Sequence, residues 1–189
     1  MDVNEAITGR RAVRDYTAQN VDAPVIRHLI DAALYAPSAG DEQPCTFTVV
    51  REQGVLDGIS AAAKSYRHTL PDSAQAHGQL SRFQALLADP DFHIFYHAPV
   101  LIVISAAAPG PWIIEDCALA AENLMLAAHA AGLGTCWIGF AQGFLNTLEG
   151  KKVLGLPGPW VPVAPIVVGH PKAIPPRVPR RQPQVRWIG

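Results

Sequence analysis

The stretch that most narrows what this chain can become is residues 113–131, "IIEDCALAAENLMLAAHAA". It has the composition of a helix, and its apolar residues fall on nearly all sides. Such a helix has no face to give to water, so it belongs in the middle of a protein or at a large interface. It is not a membrane span. No apolar run in the chain reaches the roughly 18–20 residues a crossing needs, and this one carries Glu122, Asn123 and His129. Gly132 stands where a left-handed turn would end it. Apolar residues make up 49% of the chain and charged ones only 16%. That charge is low for a free-standing monomer, so part of the apolar surface is expected to meet a partner.

The rest of the pattern supplies a sheet for that helix to cover. "PVLIVISA", 99–106, is a continuous apolar, β-rich run and reads as a strand buried on both faces. Residues 46–50 and "TCWIGF" read as shorter strands, the latter leading into a loop. "VPVAPIVVGH", 161–170, reads as a last strand whose prolines place it at an edge or a bulge. Asp2 to Gly9 reads as a short capped helix. Asp22 is an N-cap candidate for a longer one, with Pro24 in the first turn and an apolar stripe from Val25 to Leu34 that Pro37 ends. Residues 53–64 and 74–87 also look helical, the second with Ser73 as a possible cap. The tail, 171–189, is too proline-rich for helix and reads as extended and basic. There is no regular βαβ alternation, internal repeat or linker. The expectation is one α+β domain over residues 1–189.

Charge and cysteines bound the function. A net charge of −1 gives no general attraction to nucleic acid or anionic membrane. Three cysteines, Cys45, Cys117 and Cys136, lack metal-type spacing and suit reduced thiols in a cytoplasm. The N-terminus lacks the apolar core of a signal peptide. Two arginine clusters stand out: Arg10, Arg11 and Arg14 in "GRRAVRDY", and Arg177, Arg180 and Arg181 in the tail. Guanidinium forks match phosphate oxygens, so the two chain ends could converge on one phosphate; equally, each could be a solvated basic turn. "YAPSAGDEQP", 35–44, sets small, polar, backbone-permissive residues between two buried elements, either as a tight connection or with its polar groups toward a ligand. "GLGTCWIG", 132–139, fails as a dinucleotide loop, because Trp137 occupies the third glycine position and a helix precedes it. His93 and His97 are four apart, but Pro90 and the lack of a third ligand argue against a metal pair. Cys136 has no sign of a catalytic partner.

Four segments taken together resemble the nitroreductase family of FMN-dependent oxidoreductases. The family's arginine-rich "RRSxRxF" is here "RRAVRDY". Its "APSxxNxQPWxF" is here "APSAGDEQPCTF". Its "GLGSCWIGF" is here "GLGTCWIGF". A proline-bearing strand and basic tail close the order, here "PVAPIVVGHPKAIPPRVPR".

The resemblance implies a small mixed sheet covered by helices, and an interwoven homodimer with FMN sites at the interface. It assigns the FMN phosphate to Arg10, Arg11, Arg14 and Arg177, and counts Ala12 among the cofactor-binding residues. It places Pro37, Ser38, Ala39, Asp41 and Gln43 around the flavin of the partner subunit, and Thr135, Cys136 and Trp137 along the ring system. It implies two-electron transfer from NADH or NADPH through flavin N5 to an electron-poor acceptor such as a nitroaromatic, quinone or activated alkene. Fragmentation of the flavin, dehalogenation, or flavin binding without catalysis are the alternatives. Ala12 stands where serine is usual, Asp41 where asparagine is, and Cys45 where tryptophan is common.

Overall fold

The computed structural model describes residues 1–66 and 85–189. Its frame is a four-stranded sheet: β1 (Cys45–Val50), β2 (Val100–Ala106), β3 (Gly134–Trp137) and β4 (Val161–Gly169), in the order β1-β2-β4-β3 with every neighbour antiparallel. The parallel component of the expected mixed sheet is confined to one isolated bridge, Ala12 to Thr135. β2 is buried along its whole length, as its unbroken apolar run predicts. Alternation then sends its side chains into two cores. Val100, Ile102, Ile104 and Ala106 join a cluster with helices α2 (Ala23–Leu34) and α4 (Ile113–Ala130). Leu101 and Val103 join another with α3 (Gln53–Ser65), α5 (Gly139–Leu145), Ile94 and Phe95. The molecule is thus helix, sheet, helix in three layers. The short helix α6 (Leu148–Val153) follows α5.

Local chemistry explains most element boundaries. The first helix, α1 (Val3–Gly9), has a complete capping box: Asp2 accepts from the Glu5 N–H and Glu5 from the Asp2 N–H, both at 2.9 Å. Asp22 caps α2 by position but makes no side-chain hydrogen bond to it, and the helix stops at Leu34, ahead of Pro37. α4 ends as predicted, with Gly132 at φ +75°. Of the predicted helix over 74–87, residues 74–84 lie outside the described residues; residues 85–88 are helical.

Of the edge or bulge expected for the proline-bearing strand, the bulge is observed: β4 is an inner strand, between β2 and β3, although it carries Pro162 and Pro165. An antiparallel strand offers successive N–H groups to alternate neighbours, so each proline forfeits one bond on one side only. Pro162 also sits at a register shift, where Ile104 faces Ala164 but Ser105 faces Pro162. One expectation is corrected, that for "TCWIGF": the strand stops at Trp137 and gives way to helix α5 rather than to a loop.

Candidate functional site

The N-terminal segment after α1 crosses the exposed edge of β3. Its Val13 N–H donates to the Thr135 carbonyl at 2.9 Å and Thr17 N–H to the His170 carbonyl at 2.9 Å. The buried Tyr16 hydroxyl donates back to the Val13 carbonyl at 2.7 Å, fixing the turn between them. Gly134 permits this approach, because a Cβ there would stand 2.7 Å from Val13 Cγ2. Between this segment, the C-terminal end of α4 and the start of the tail lies a cleft of about 190 Å³, lined in part by Arg10, Arg11, His129, Thr135 and Ile174.

The cleft is electrostatically unfinished. Arg11 uses Nη1 to cap α1, donating to the Thr8 carbonyl at 2.8 Å and the Arg10 carbonyl at 2.6 Å. Its Nε is buried with no acceptor among the described residues. Arg10 Nε is 3.4 Å from Glu122 Oε1, an ion pair without a well-formed hydrogen bond, and it too is a buried donor lacking a hydrogen-bond acceptor among the described residues. Buried donors without acceptors are costly, and two on adjacent guanidinium groups make this cleft a candidate place for an anion. Partial desolvation and then the two arginines hold the His129 imidazole below its ordinary pKa of 6.5. The cleft therefore adds no third fixed cation at neutral pH.

Of the other predicted residues, only Thr135 lines the cleft. Arg14 lies on the exposed side of the same segment, beside Cys136 and Tyr96. Ala12 bridges to Thr135. Along β3, Thr135 lines the cleft. The Cys136 side chain points into the α3 core, where burial pushes its thiol pKa up, and Trp137 packs toward the α4 core. Arg177 is exposed in the tail, three residues past the cleft-lining Ile174.

Pro37, Ser38, Ala39, Asp41 and Gln43 form one built loop. Ala39 to Asp41 make a single 3₁₀ turn with Gly40 at φ +59°, and Asp41 and Gln43 also take left-handed backbone, φ +57° and +48°. Non-glycine residues adopt that conformation at a cost, and here hydrogen bonds hold it. Ser38 Oγ accepts from the Gln43 N–H and Asp41 Oδ1 from Gln43 Nε2, both at 2.9 Å. Buried Asp116, near the start of α4, anchors the whole loop by accepting the Ala39 N–H at 2.9 Å.

Asp116, Glu122 and His129 had no role assigned from sequence. Their signal was present: each is a polar residue inside an otherwise apolar helix. They also separate the two predicted halves of the site. Asp116 and His129 are 13 positions apart along α4, about 20 Å at 1.5 Å per residue. Within one chain the loop and the arginine cleft therefore sit at opposite ends of α4.

The histidine pair at 93 and 97 lies in turns rather than on a helix, with rings 4.5 Å apart. His93 Nε2 is 3.1 Å from Asp57 Oδ1. Among the described residues no group of three or more His, Cys, Asp or Glu is placed to hold a metal, and no helix is long and apolar enough to cross a membrane.

This arrangement has known counterparts. Residues 7–170 match the model of the nitroreductase family. A Methanothermobacter thermautotrophicus protein with the provisional name NADH dehydrogenase/NAD(P)H nitroreductase is 32% identical over 177 residues, covering 90% of this chain and 78% of that protein. An Archaeoglobus fulgidus protein of the same provisional name is 29% identical over 163 residues, covering 86% and 82%. The crystal structure of a Bacteroides fragilis nitroreductase with bound FMN superposes with a TM-score of 0.83 at 25% identity, covering 100% of both chains. The chain belongs to the nitroreductase family.

Proposed function

We propose that this protein is an FMN-dependent NAD(P)H oxidoreductase acting on an electron-poor organic acceptor, as a homodimer with two sites. One observation carries the reading: Arg10 and Arg11 line the cleft beside β3, and their buried Nε–H groups lack hydrogen-bond acceptors among the described residues. A phosphate monoester supplies the oxygens those donors lack, and their charge offsets its own. Bound FMN would supply a ring that takes two electrons from a reduced nicotinamide and passes them to a nitroaromatic, quinone or activated alkene.

The chain's own residues bind and orient. Arg10 and Arg11 hold the phosphate, and Arg177 approaches from the tail. Thr135, Cys136 and Trp137 present the β3 main chain to the ring, and Ala12 and Arg14 flank it from the segment crossing that strand. The loop of Pro37, Ser38, Ala39, Asp41 and Gln43 walls the partner's site; its distance of about 20 Å along α4 from its own chain's cleft supports this exchange. No side chain is assigned as a general acid, since solvent can protonate the product. Three free thiols fit a cytoplasmic setting.

Anaerobic assays test the reading. The protein should bind FMN, consume NADH or NADPH, and turn over faster when a quinone or nitroaromatic is added. Failure to bind FMN would overturn the whole proposal. FMN binding without nicotinamide oxidation would overturn the enzymatic part. Turnover restricted to a halogenated phenol, with halide release, would replace the acceptor class by reductive dehalogenation.

A further inference from the structure

Cys45 and Cys117 are 72 positions apart in sequence, yet their sulfurs are 3.7 Å apart. Cys45 opens β1, directly after the 37–44 loop, and is half-buried; Cys117 is fully buried on α4, next to Asp116, which anchors Ala39 of that loop. The two thiols therefore join the same loop-bearing strand and helix that Asp116 joins. We propose that Cys45 and Cys117 are a peroxide-sensitive thiol pair, which closes to a reversible disulfide and fastens the exit of the 37–44 loop to α4.

The arrangement assigns each sulfur a role. Cys45 is the more accessible, and contact with the Cys117 thiol lowers its pKa, opposed by burial and by the Asp116 carboxylate. Cys117 is shifted the other way by the same contact and by burial. Cys45 is thus the attacking thiolate and Cys117 the resolving thiol. The Cys45 sulfur attacks one oxygen of a hydroperoxide. The O–O bond breaks, the second oxygen leaves with a proton as water (or as an alcohol), and Cys45 becomes a sulfenic acid. The Cys117 sulfur then attacks the Cys45 sulfur. The S–O bond breaks, and the oxygen leaves as water with the proton from Cys117. Two thiols are oxidised by two electrons in total, and one peroxide is reduced. Closing from 3.7 Å to a bonded S–S distance of about 2.05 Å moves the sulfurs together by less than the length of a C–S bond, within reach of small side-chain rotations. The third cysteine is a built-in control, because Cys136 is buried in the other core with its pKa raised by burial.

The chemistry stands independently of the FMN reading, so its test does too. The protein as purified, with whatever cofactor it carries, is treated with a small excess of hydrogen peroxide, denatured, and assayed for free thiols and by peptide mapping. The expected result is a fall from three free thiols per chain to one, a Cys45–Cys117 linked peptide, and full recovery with dithiothreitol. In Cys117→Ala, oxidation should stop at a Cys45 sulfenic acid trapped by dimedone; in Cys45→Ala, neither remaining thiol should react at that dose. Three surviving thiols, a link involving Cys136, or a Cys45–Cys45 link between chains would overturn the proposal. The unaltered protein gives these outcomes even if a variant does not fold.

Discussion

At the scale of single residues, the Nε groups of Arg10 and Arg11, buried without hydrogen-bond acceptors among the described residues, lead to predictions that spacing alone did not rank. Arg10, Arg11 and Arg14 were equivalent in the sequence; in the fold, the first two line the cleft and Arg14 turns toward Cys136 and Tyr96. Arg11→Ala should weaken FMN binding by about 1.5–3 kcal/mol, the range for a hydrogen bond to a charged group. Titration of apoprotein with FMN measures this, and unchanged affinity would remove the phosphate from this cleft. His129 adds a pH dependence. Desolvation and the arginines hold its pKa below 6.5 in the free protein. A bound phosphate dianion would raise it, so binding takes up a proton and the histidine's contribution grows as pH falls through the bound-state value. The affinity ratio of the parent to His129→Gln should therefore increase as pH falls through that bound-state value and level off in mild alkali. The phosphate's own titration affects both proteins alike and cancels in the ratio. Asp41 makes no ion pair among the described residues; its carboxylate accepts only from Gln43. If it walls the partner's flavin, it opposes the negative charge that reduction adds. Asp41→Asn should then raise the two-electron potential by on the order of 5–20 mV, the scale of an exposed charge interaction. Potentiometry showing no rise would mean that the carboxylate does not face the ring.

Among the elements, legibility followed how much each depends on its neighbours. β2 and α4 declared themselves because a run apolar on both faces, or all round, has few ways to be buried. α1 was legible as a short capped helix, and the structure adds its full capping box. By contrast α5 and α6 went unread. They are seven and six residues long, include Gly139, Gly143 and Gly150, and are too short to be helical without tertiary support. β4 was read as either an edge or a bulged strand; its prolines are accommodated at a bulge within an inner strand, a choice that proline content alone could not make. The anchor of the 37–44 loop was invisible for a different reason: Asp116 lies 77 positions from Ala39, and no local pattern links them. Asp116→Ala leaves the Ala39 N–H without its acceptor, at a cost of about 1–3 kcal/mol. For a chain of this size that is roughly 2–4 °C of melting temperature per kcal/mol. Calorimetry on parent and variant checks the loss, and an unchanged melting temperature would mean that solvent satisfies the Ala39 N–H equally well.

For the whole molecule, the question is what covers the surface that a single chain leaves open. α4 reads as apolar on all sides, yet Ile114 and Leu119 on it remain 62% and 46% exposed; Leu34 and Tyr35, which lead into the 37–44 loop, are 56% and 87% exposed, and Trp112 57%. Trp187 and Ile188 near the end of the tail are 90% and 92% exposed. Large apolar side chains gathered around one loop and one helix mark an interface rather than ordinary surface. The proposed homodimer gives them a cover, and it also resolves the separation of about 20 Å between loop and cleft along α4, since each loop would serve the other chain's cleft. Oligomeric state and FMN affinity should then be lost together. Leu119→Glu buries a charge against the partner and should convert a sedimenting dimer to monomer. The monomer keeps Arg10 and Arg11 but lacks the partner's loop, so FMN should bind at least about tenfold more weakly, a difference of 1.4 kcal/mol or more. A monomeric variant with parental FMN affinity would show that one chain completes the site alone. A parent that sediments as a monomer while loaded with FMN would remove the dimer altogether, and the exposed residues of α4 would need another partner.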